Sequence, residues 1–206
     1  MEREFLLVER YDRVQEGELL RRLHQEDFCQ ALGLPPGAKY QHSHYHGQKG
    51  SFPRMMDRLR EVGGGTQVMQ LWDMLVFNVL SCNTDAHLKN HSLILSADGV
   101  RLAPLYDVMC ASVWQNITRN MALDVGGKRV GEYIEGRHWA REAEACGISP
   151  RRALARVEYL SQRMREELGA AAHDVAAMPA GPHALIALVR EAIDQRCQTI
   201  QNTLSK

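Results

Sequence analysis

The sequence predicts one mainly helical domain over residues 1–206, with a short strand near its start and a small β-hairpin in its middle. Three observations support this fold class. Apolar residues recur at helical spacing over several long stretches, an Asp-Gly pair separates two short β-prone runs, and the length suits a single hydrophobic core.

The first third of the chain is predicted to contain a strand, two helices and a polar loop. Residues 4–9 are mostly apolar and predict the strand. A short helix over residues 25–32 is expected to end at Gly33, ahead of two prolines. The polar, glycine-containing residues 41–51 indicate a loop, and the apolar spacing of residues 55–62 indicates a second helix before three consecutive glycines.

The middle of the chain, residues 66–110, is predicted to form a buried helix followed by a hairpin. Thr66 is a suitable cap for a helix over residues 68–80, whose broad apolar face favours burial at the centre of the domain. Residues 92–95 and 100–103 are β-prone and flank an Asp-Gly turn. The loop between helix and hairpin would therefore be held rigidly at the end of a central helix.

The last part of the chain, residues 149–206, is predicted to form two helices. Apolar residues at helical spacing after Pro150 indicate one long amphipathic helix, and a second is predicted over residues 182–203. The alanine-rich residues 169–181 between them predict a loosely packed connection. The arginines of the first helix are interleaved with glutamates, which is typical of a salt-bridged, solvated face.

The overall charge argues against some classes of function. The chain carries 25 Lys and Arg residues and 25 Asp and Glu residues, so direct nucleic-acid or membrane binding is not expected. Its five cysteines are widely spaced, in a pattern that suits a reducing cytoplasm better than a disulfide framework. No signal peptide is recognisable, and no apolar run approaches the ~18 residues of a membrane span. A cytoplasmic protein is expected.

The most specific motif begins at Asp85. Four residues separate Asp85 from Asn90, and the predicted hairpin separates both from Tyr106 and Asp107. Protein kinases place a catalytic base and two magnesium ligands in this order. Magnesium prefers hard oxygen ligands, which Asn90 and Asp107 would supply. The pattern therefore predicts a phosphotransferase with Asp85 as catalytic base and with Asn90 and Asp107 as metal ligands.

Longer segments around this motif resemble the HipA family of bacterial serine/threonine kinase toxins. Residues 83–90 match the family's loop N-x-D-x-H-x-K-N, and residues 102–107 match its metal loop L-x-P-x-Y-D. Residues 5–13 are similar to its V-E-R-F-D-R hinge strand, and residues 23–40 to its Q-E-D-x-x-Q helix and the segment after it. The resemblance implies a protein-kinase-like C-terminal lobe in which residues 1–13 carry the hinge, with ATP and Mg²⁺ as cofactors.

The resemblance also implies roles for individual residues. The hinge would bind adenine through backbone groups of Glu9 and Tyr11, with Asp12 near the ribose. His87 and Lys89 would lie against the phosphates. The complete set of implied nucleotide-binding residues is Glu9, Arg10, Tyr11, Asp12, His87, Lys89, Asn90, Tyr106 and Asp107.

The same resemblance implies binding partners for the protein and the lack of an N-terminal kinase lobe. It implies a toxin–antitoxin setting, a DNA-binding antitoxin of the HipB type and a protein substrate such as an aminoacyl-tRNA synthetase. The family carries a nucleotide-covering loop and a phosphate-binding lysine upstream of the hinge, whereas the first lysine here is Lys39. The chain is therefore expected to be a kinase lobe that is incomplete or inactive without an N-terminal lobe, which a separate polypeptide would provide.

Other interpretations stay open at this point. Asp85 is also a suitable turn residue, Asp107 a suitable helix cap and His87 a suitable structural histidine. The chain would then be a truncated pseudokinase that binds partners without catalysis. A third hypothesis is a metal- or nucleic-acid-binding module that uses the arginine-rich helix or the alternating histidines His42, His44 and His46.

Overall fold

The computed structural model of the protein describes residues 7–206. Within that range, short strands form three small antiparallel sheets and helices form most of the regular structure, which confirms the mainly helical prediction. The strands are β1 (Arg13–Glu16), β2 (Leu19–Arg22), β3 (His24–Asp27), β4 (Ser92–Ser96), β5 (Gly99–Leu102), β6 (Asn120–Val125) and β7 (Lys128–Val130). The α-helices are α1 (Phe28–Ala31), α2 (Phe52–Gly63), α3 (Val68–Leu80), α4 (Gly136–Ala145), α5 (Pro150–Ala176) and α6 (Ala184–Thr203).

The central helix α3 is buried, as its broad apolar face predicts. Leu71, Trp72 and Val76 are fully buried, and the helix packs against α5 and α6. The Trp72 ring meets the rings of Phe52 on α2 and Trp139 on α4 edge-on, at centroid distances of 6.3 and 5.9 Å. This packing makes α3 a rigid support for the loop that follows it.

The predicted hairpin is confirmed and belongs to a three-stranded sheet. Strands β4 and β5 are antiparallel and close in a turn between Ser96 and Gly99. Strand β3 pairs with the opposite edge of β4, so that Asp27 faces Ser92. A segment far upstream in the chain thus braces the hairpin.

Strand β3 and helix α1 replace the single helix predicted over residues 25–32. The backbone stays extended to Asp27 because β4 offers it a hydrogen-bonding partner, and only then turns into one helical turn. Asp27 caps that turn: its carboxylate accepts from Gln30 N, and the Gln30 side chain accepts from Asp27 N. The helix ends before Gly33, as predicted, and Gly33 has a left-handed φ of 65°.

Two further predictions about the first half of the chain are wrong. Residues 7–9 lie in no strand, and none of the described backbone hydrogen bonds reaches them; residues 4–6 of that predicted strand lie outside the described residues. Thr66 does not cap α3, because Gln67 occupies the cap position. The Gln67 amide bonds across to the backbone of β5 instead, at 2.6 and 3.0 Å, and so ties α3 to the hairpin.

The C-terminal half contains more regular structure than predicted. Helix α5 continues through residues 169–176, so the predicted loose connection is wrong there and only residues 177–183 separate α5 from α6. Alanine has the highest helix propensity, so this segment extends the helix. Helix α4 and the β6–β7 hairpin were not predicted. Helix α6 returns along α5, and Arg165 bonds to Asp194 at 2.7 Å.

Three of the five arginines of α5 are bound to carboxylates, in line with the alternating charges. Arg156 forms a two-point ion pair with Asp73 of α3 at 2.6 and 2.7 Å, and Arg163 pairs with Glu166 and Glu167 along the helix. This pairing favours a structural role for the arginine-rich helix over nucleic-acid binding. Among residues 7–206, no helix has the length and apolar character required to cross a bilayer.

Glu142 on α4 makes the stability of this packing dependent on pH. Its side chain is buried, Oε2 accepts from Gly126 N at 2.7 Å, and Oε1 has no partner in the described part of the chain. Burial, together with the charge of Asp124, raises the pKa of Glu142 to about 7. Its ordinary value is 4.5, so the unfolded chain ionises first and the free energy of unfolding falls as the pH rises from there through about 7.

We expect Glu142→Gln to remove this loss, because a neutral amide cannot ionise. Between about pH 5 and about pH 8, the wild-type protein should lose roughly 2–3 kcal/mol more stability than the variant. Urea unfolding of both proteins at the two pH values measures the difference. Glu144→Gln, at an exposed position of the same helix, is the matched control. Parallel pH profiles for wild type and Glu142→Gln would contradict the assignment.

Candidate active site

Two loops meet at the C-terminal end of α3. The Asp85 loop, residues 81–91, joins α3 to β4, and the Asp107 loop, residues 103–110, follows β5. Directly after the second loop, Ala111 N donates to Cys82 O at 3.0 Å and ties the two loops together. The helix, the hairpin and the two motif loops therefore form one structural unit.

Tyr106 joins the two loops beside their predicted metal ligands. Its hydroxyl donates to Lys89 O at 2.6 Å and accepts from Ser92 Oγ at 2.6 Å. Burial raises the pKa of Tyr106 to about 12, so the hydroxyl stays protonated and keeps donating. Since Lys89 precedes Asn90 and Tyr106 precedes Asp107, this bond brings both predicted ligands to neighbouring backbone positions.

A buried hydrogen-bond network, formed by polar side chains of α3 and of the loop itself, fixes the conformation of the Asp85 loop. Asn83 Nδ2 donates to Asn78 Oδ1 at 2.8 Å, and Asn83 Oδ1 accepts from Asp85 N at 3.2 Å. Burial lowers the pKa of His91 to about 4, so its ring is neutral near pH 7 and donates from Nδ1 to His87 O at 3.1 Å. Buried, mutually satisfied polar groups of this kind hold a loop in one conformation.

Asp85 directs its carboxylate away from this network. Tyr40 donates its hydroxyl to Asp85 Oδ1 at 2.8 Å, and no other described residue bonds to the carboxylate. The Tyr40 segment is docked on the loop, because Leu88 N donates to Lys39 O at 3.1 Å. Burial and the Asp85 carboxylate raise the pKa of Tyr40 to about 12, so it remains a donor. The local turn bond is made by the Asn83 side chain, which leaves Asp85 available for chemistry.

Asn90 and Asp107 have oxygen atoms available for a cation. Asn90 Nδ2 donates to Asp85 O at 2.9 Å, which fixes the amide and leaves its Oδ1 without a partner among the described residues. Asp107 is exposed, and its φ of 55° is a left-handed conformation that few non-glycine residues adopt. The helix-cap interpretation is wrong: in the described structure the next helical turn begins at Ala111, with Cys110 at its cap. Amide and carboxylate oxygens are hard donors, so these two residues fit Mg²⁺.

His87 lies near both aspartates. It is buried, its ring meets the Tyr40 ring edge-on at 5.1 Å, and its Nδ1 has no hydrogen-bond partner within residues 7–206. Burial and the charge of Lys39 lower the pKa of His87, against the opposing charges of Asp85 and Asp107. A buried ring nitrogen without a partner is a group that a bound ligand would satisfy. His87 therefore fits the predicted phosphate contact.

Lys89, the other predicted phosphate contact, is bound by the protein itself. Its Nζ lies 2.6 Å from Asp27 Oδ2, and this bond raises the pKa of Lys89. Asp27 thus acts twice, by capping α1 and by holding the Asp85 loop against β3. A phosphate bound by Lys89 would share it with Asp27, and that contact stays a prediction.

The predicted hinge segment lies against the Asp107 loop. Tyr11 stacks on Tyr106 with the ring centroids 5.8 Å apart, and its hydroxyl donates to Gln25 Oε1 at 2.7 Å. Glu9 and Arg10 are exposed next to it. The stack places the hinge backbone beside the Asp107 loop, where adenine contacts by this segment stay a prediction.

Asp12 is enclosed by arginines. It is 1% exposed; Arg10 donates to its two carboxylate oxygens at 2.8 and 2.7 Å, and Arg13 reaches Oδ2 at 2.6 Å. The Arg10 hydrogen bonds, supported by Arg13, lower the pKa of Asp12 to about 2. Because both oxygens are occupied, a ribose contact by Asp12 would require Arg10 to move. That contact also stays a prediction.

A cleft of about 770 Å³ opens beside the Asp85 carboxylate. Its lining includes Tyr40, Thr84, Asp85, Met109 and Arg129. Clefts of this size commonly hold ligands. The cleft therefore gives a hydroxyl-bearing segment of another molecule direct access to Asp85.

The histidine run beside this cleft does not form a metal site. His42 Nε2 bonds to both carboxylate oxygens of Asp124, at 2.8 and 2.9 Å. Within residues 7–206, no three His, Cys, Asp or Glu side chains are grouped so that they could share a metal ion. The structure thus gives no support to a metal-binding module built on His42, His44 and His46.

Three residues that position the site were missed by sequence reasoning. Tyr40 lies in the family-like segment, but nothing local indicates that it bonds to Asp85. Asn78 is detectable in principle, because it is a polar residue within the apolar stretch of α3. Asp27 is also detectable, because its spacing from Gln30 is that of a capping box.

Comparison with known proteins places the chain among kinase-like relatives. Residues 1–168 match the family described as HipA-like C-terminal domain. The Sinorhizobium fredii protein named "Putative kinase Y4mE" is 36% identical over 151 residues, which cover 71% of this chain and 34% of that protein. The serine/threonine-protein kinase toxin HipA of Shewanella oneidensis is 27% identical over 176 residues, which cover 79% of this chain and 40% of the toxin.

A solved structure has the same fold. A chain of the Shewanella oneidensis MR-1 toxin–antitoxin complex of HipA, HipB and operator DNA matches with a TM-score of 0.84, over 96% of this chain and 49% of that chain, at 21% identity. The present chain thus spans between about a third and a half of the length of these relatives. Its architecture is that of a kinase-like C-terminal lobe, and the chain belongs to the HipA-like C-terminal domain family.

Proposed function

We propose that the chain is the catalytic-loop lobe of a HipA-type serine/threonine protein kinase, which transfers the γ-phosphoryl group of ATP to a protein hydroxyl. The observation that carries the proposal is the bond from Tyr106 to Lys89 O, which joins the Asp85 and Asp107 loops. Around this junction lie two carboxylates, one amide oxygen and a buried histidine nitrogen without a partner. The relationship to a kinase toxin supports the proposal.

Asp85 acts in this proposal as the general base. Its carboxylate lines the cleft and is oriented by Tyr40. A serine or threonine hydroxyl in the cleft donates to the unbonded Asp85 oxygen, which orients the attacking oxygen and takes up its proton as the reaction proceeds. Tyr40 is a positioning residue, because the network beneath the loop fixes the Asp85 backbone and not its carboxylate. Such positioning supplies a large part of the rate enhancement.

Asn90 and Asp107 are the proposed magnesium ligands. They would hold Mg²⁺, which would supply positive charge against the phosphates of ATP. The Asn90 amide is already oriented by its bond to Asp85 O, so its oxygen needs no rearrangement to bind a cation. His87 would satisfy its unpaired Nδ1 on a phosphate oxygen, and the Tyr11 backbone would hold the adenine.

The proposed setting is a toxin–antitoxin system. The structural relative is part of a complex with HipB and operator DNA, and one sequence relative is a kinase toxin. We therefore propose a DNA-binding antitoxin of the HipB type as partner and an aminoacyl-tRNA synthetase as substrate class. Turnover would also use the nucleotide-covering elements of a complete kinase, since the chain spans only part of its relatives' length.

The proposal predicts magnesium-dependent ATP binding that requires Asp107. Asp107→Asn removes the negative charge and keeps the size, so the affinity for ATP with Mg²⁺ should fall on the order of tenfold or more. Titration calorimetry of the full chain, with and without Mg²⁺, measures this change. Asp98→Asn in the exposed β4–β5 turn is the matched control and should bind as the wild type does. Equal affinities for Asp107→Asn and wild type would refute the metal assignment.

A partner-binding subunit without catalysis is the second candidate function. The ion pair between Lys89 and Asp27 favours it, because the pair occupies a side chain that a phosphate would otherwise use. This candidate predicts no binding even at millimolar ATP, or binding without any phosphoryl transfer. Absence of ATP binding in the wild-type chain would favour it over the kinase, and absence of transfer would favour it once nucleotide-covering elements are supplied.

A further inference from the structure

Two cysteines lie where the Asp85 loop and the Asp107 loop meet. Cys82 is near the start of the first loop, three residues before Asp85, and Cys110 ends the second loop, three residues after Asp107. The backbone bond from Ala111 N to Cys82 O, 3.0 Å long, holds the two segments side by side. The two side chains extend from these adjoining segments and interact with each other, while the Cys82 thiol lies 3.8 Å from its acceptors Leu80 O and Ala192 O.

Cys82 also lines a cavity of about 400 Å³ that a small oxidant could enter. The cavity wall contains Ser112, the carboxylate residue Glu132 and the two arginines Arg119 and Arg196, with Arg196 3.8 Å from Glu132. The cations outnumber the carboxylate, which favours a thiolate. Interaction with Cys110 and the charge of Arg196 lower the pKa of Cys82 against its burial. Cys82 lines the cavity and Cys110 does not, so an oxidant in the cavity meets Cys82 first.

The other three cysteines lack this combination. Cys29, Cys146 and Cys197 are buried, and burial raises the pKa of each thiol. None of them lines the cavity that Cys82 occupies. Among the five cysteines, only Cys82 combines interaction with a second thiol, cationic neighbours and a route to solvent.

We propose that Cys82 and Cys110 are an oxidation site, at which hydrogen peroxide converts the two thiols into a disulfide that joins the Asp85 and Asp107 loops. The Cys82 thiolate attacks one peroxide oxygen, the O–O bond breaks, and Cys82 becomes a sulfenic acid with release of water. The Cys110 sulfur then attacks the Cys82 sulfur, the S–O bond breaks, and a second water leaves. Two thiols are oxidised and the peroxide is reduced by two electrons.

The disulfide would change the site that it crosses. A disulfide requires specific Cβ and sulfur geometry, so its formation must shift one or both loops from their thiol-state positions. Asp85 and Asp107 are each three residues from a bridged cysteine. This consequence rests on the proposed function: we expect ATP binding with Mg²⁺ to weaken at least tenfold on oxidation and to recover on reduction.

Hydrogen peroxide treatment of the full chain, followed by non-reducing peptide mass spectrometry, tests the site without any assay of activity. We expect a cross-linked peptide pair that contains Cys82 and Cys110, with loss of two of the five free thiols. In Cys110→Ser, the Cys82 sulfenic acid should persist and react with dimedone. Cys82→Ser should oxidise at least tenfold more slowly, whereas Cys146→Ala, outside the pair, should form the cross-link as the wild type does.

The outcomes separate the two parts of the proposal. Absence of the Cys82–Cys110 cross-link in the wild type overturns the oxidation site, and this result does not depend on whether the variants fold. A cross-link with unchanged ATP binding establishes the site and overturns its regulatory effect. If reduced protein binds no ATP, the proposed kinase function fails while the peptide mapping still decides the oxidation site.

Discussion

Replacing Asp85 with Asn should strongly reduce phosphoryl transfer while ATP binding with Mg²⁺ stays close to the wild-type level. The Asn side-chain oxygen can still accept the Tyr40 hydrogen bond that Asp85 Oδ1 accepts at 2.8 Å, so the loop geometry should survive. The amide cannot take up the proton of an attacking hydroxyl. General bases contribute about 10²–10⁴-fold to rate, and transfer should fall by that factor.

Labelling with ATP that carries a radioactive γ-phosphate, on the full chain and on proteins of a bacterial extract, measures this loss. Asp98→Asn makes the same chemical change in the exposed hairpin turn and should label as the wild type does. Comparable labelling by Asp85→Asn and wild type would rule Asp85 out as the base. Wild-type protein that binds ATP and stays unlabelled even when nucleotide-covering elements are supplied would support the partner-binding candidate.

Trp72→Ala should be the most destabilising single change in the core. The Trp72 side chain is fully buried and packs against Phe52 and Trp139, so its removal leaves a large cavity between α2, α3 and α4. Such truncations cost about 3–5 kcal/mol. Domains of this size are stable by only about 5–15 kcal/mol, and the variant should lose roughly 6–20 °C in Tm.

Thermal unfolding followed by circular dichroism measures the change. Trp114→Ala is the matched control, because Trp114 is 47% exposed and its removal should alter stability by no more than about 0.5–1 kcal/mol. Since α3 supports the Asp85 loop, Trp72→Ala should also weaken ATP binding at temperatures where it remains folded. A Trp72→Ala protein as stable as Trp114→Ala would show that the aromatic cluster contributes little.

The fold was predictable where local pattern determines structure. Periodic apolar residues located α2, α3, α5 and α6, and an Asp-Gly pair located the β4–β5 hairpin. Prediction failed at residues 25–27, where pairing with β4 outweighs helical preference, and at residues 169–176, where alanine propensity extends α5. A strand depends on its neighbour, and a neighbour distant in the chain leaves no local signal.

The candidate site also has features that the sequence predicts and features that only the structure shows. The order of Asp85, Asn90 and Asp107 is visible in the sequence, as are the family-like hinge and loop segments. The structure adds the contact through Tyr106 that brings the two loops together, and it shows that Asp107 caps no helix. It also shows that Asp12 and Lys89 are already held by Arg10 and Asp27, which motif matching could not reveal.

The sequence by itself determined the family, the mainly helical class and the order of the motif residues, because these depend on residue identity, spacing and periodicity along the chain. Only the tertiary structure decided which other side chains orient these motif residues. Tyr40 bonds to Asp85 across 45 residues, Asp27 bonds to Lys89 across 62, and Cys110 interacts with Cys82. Such contacts join distant loops, and they can form only once α3 and the sheets have packed and brought those loops together.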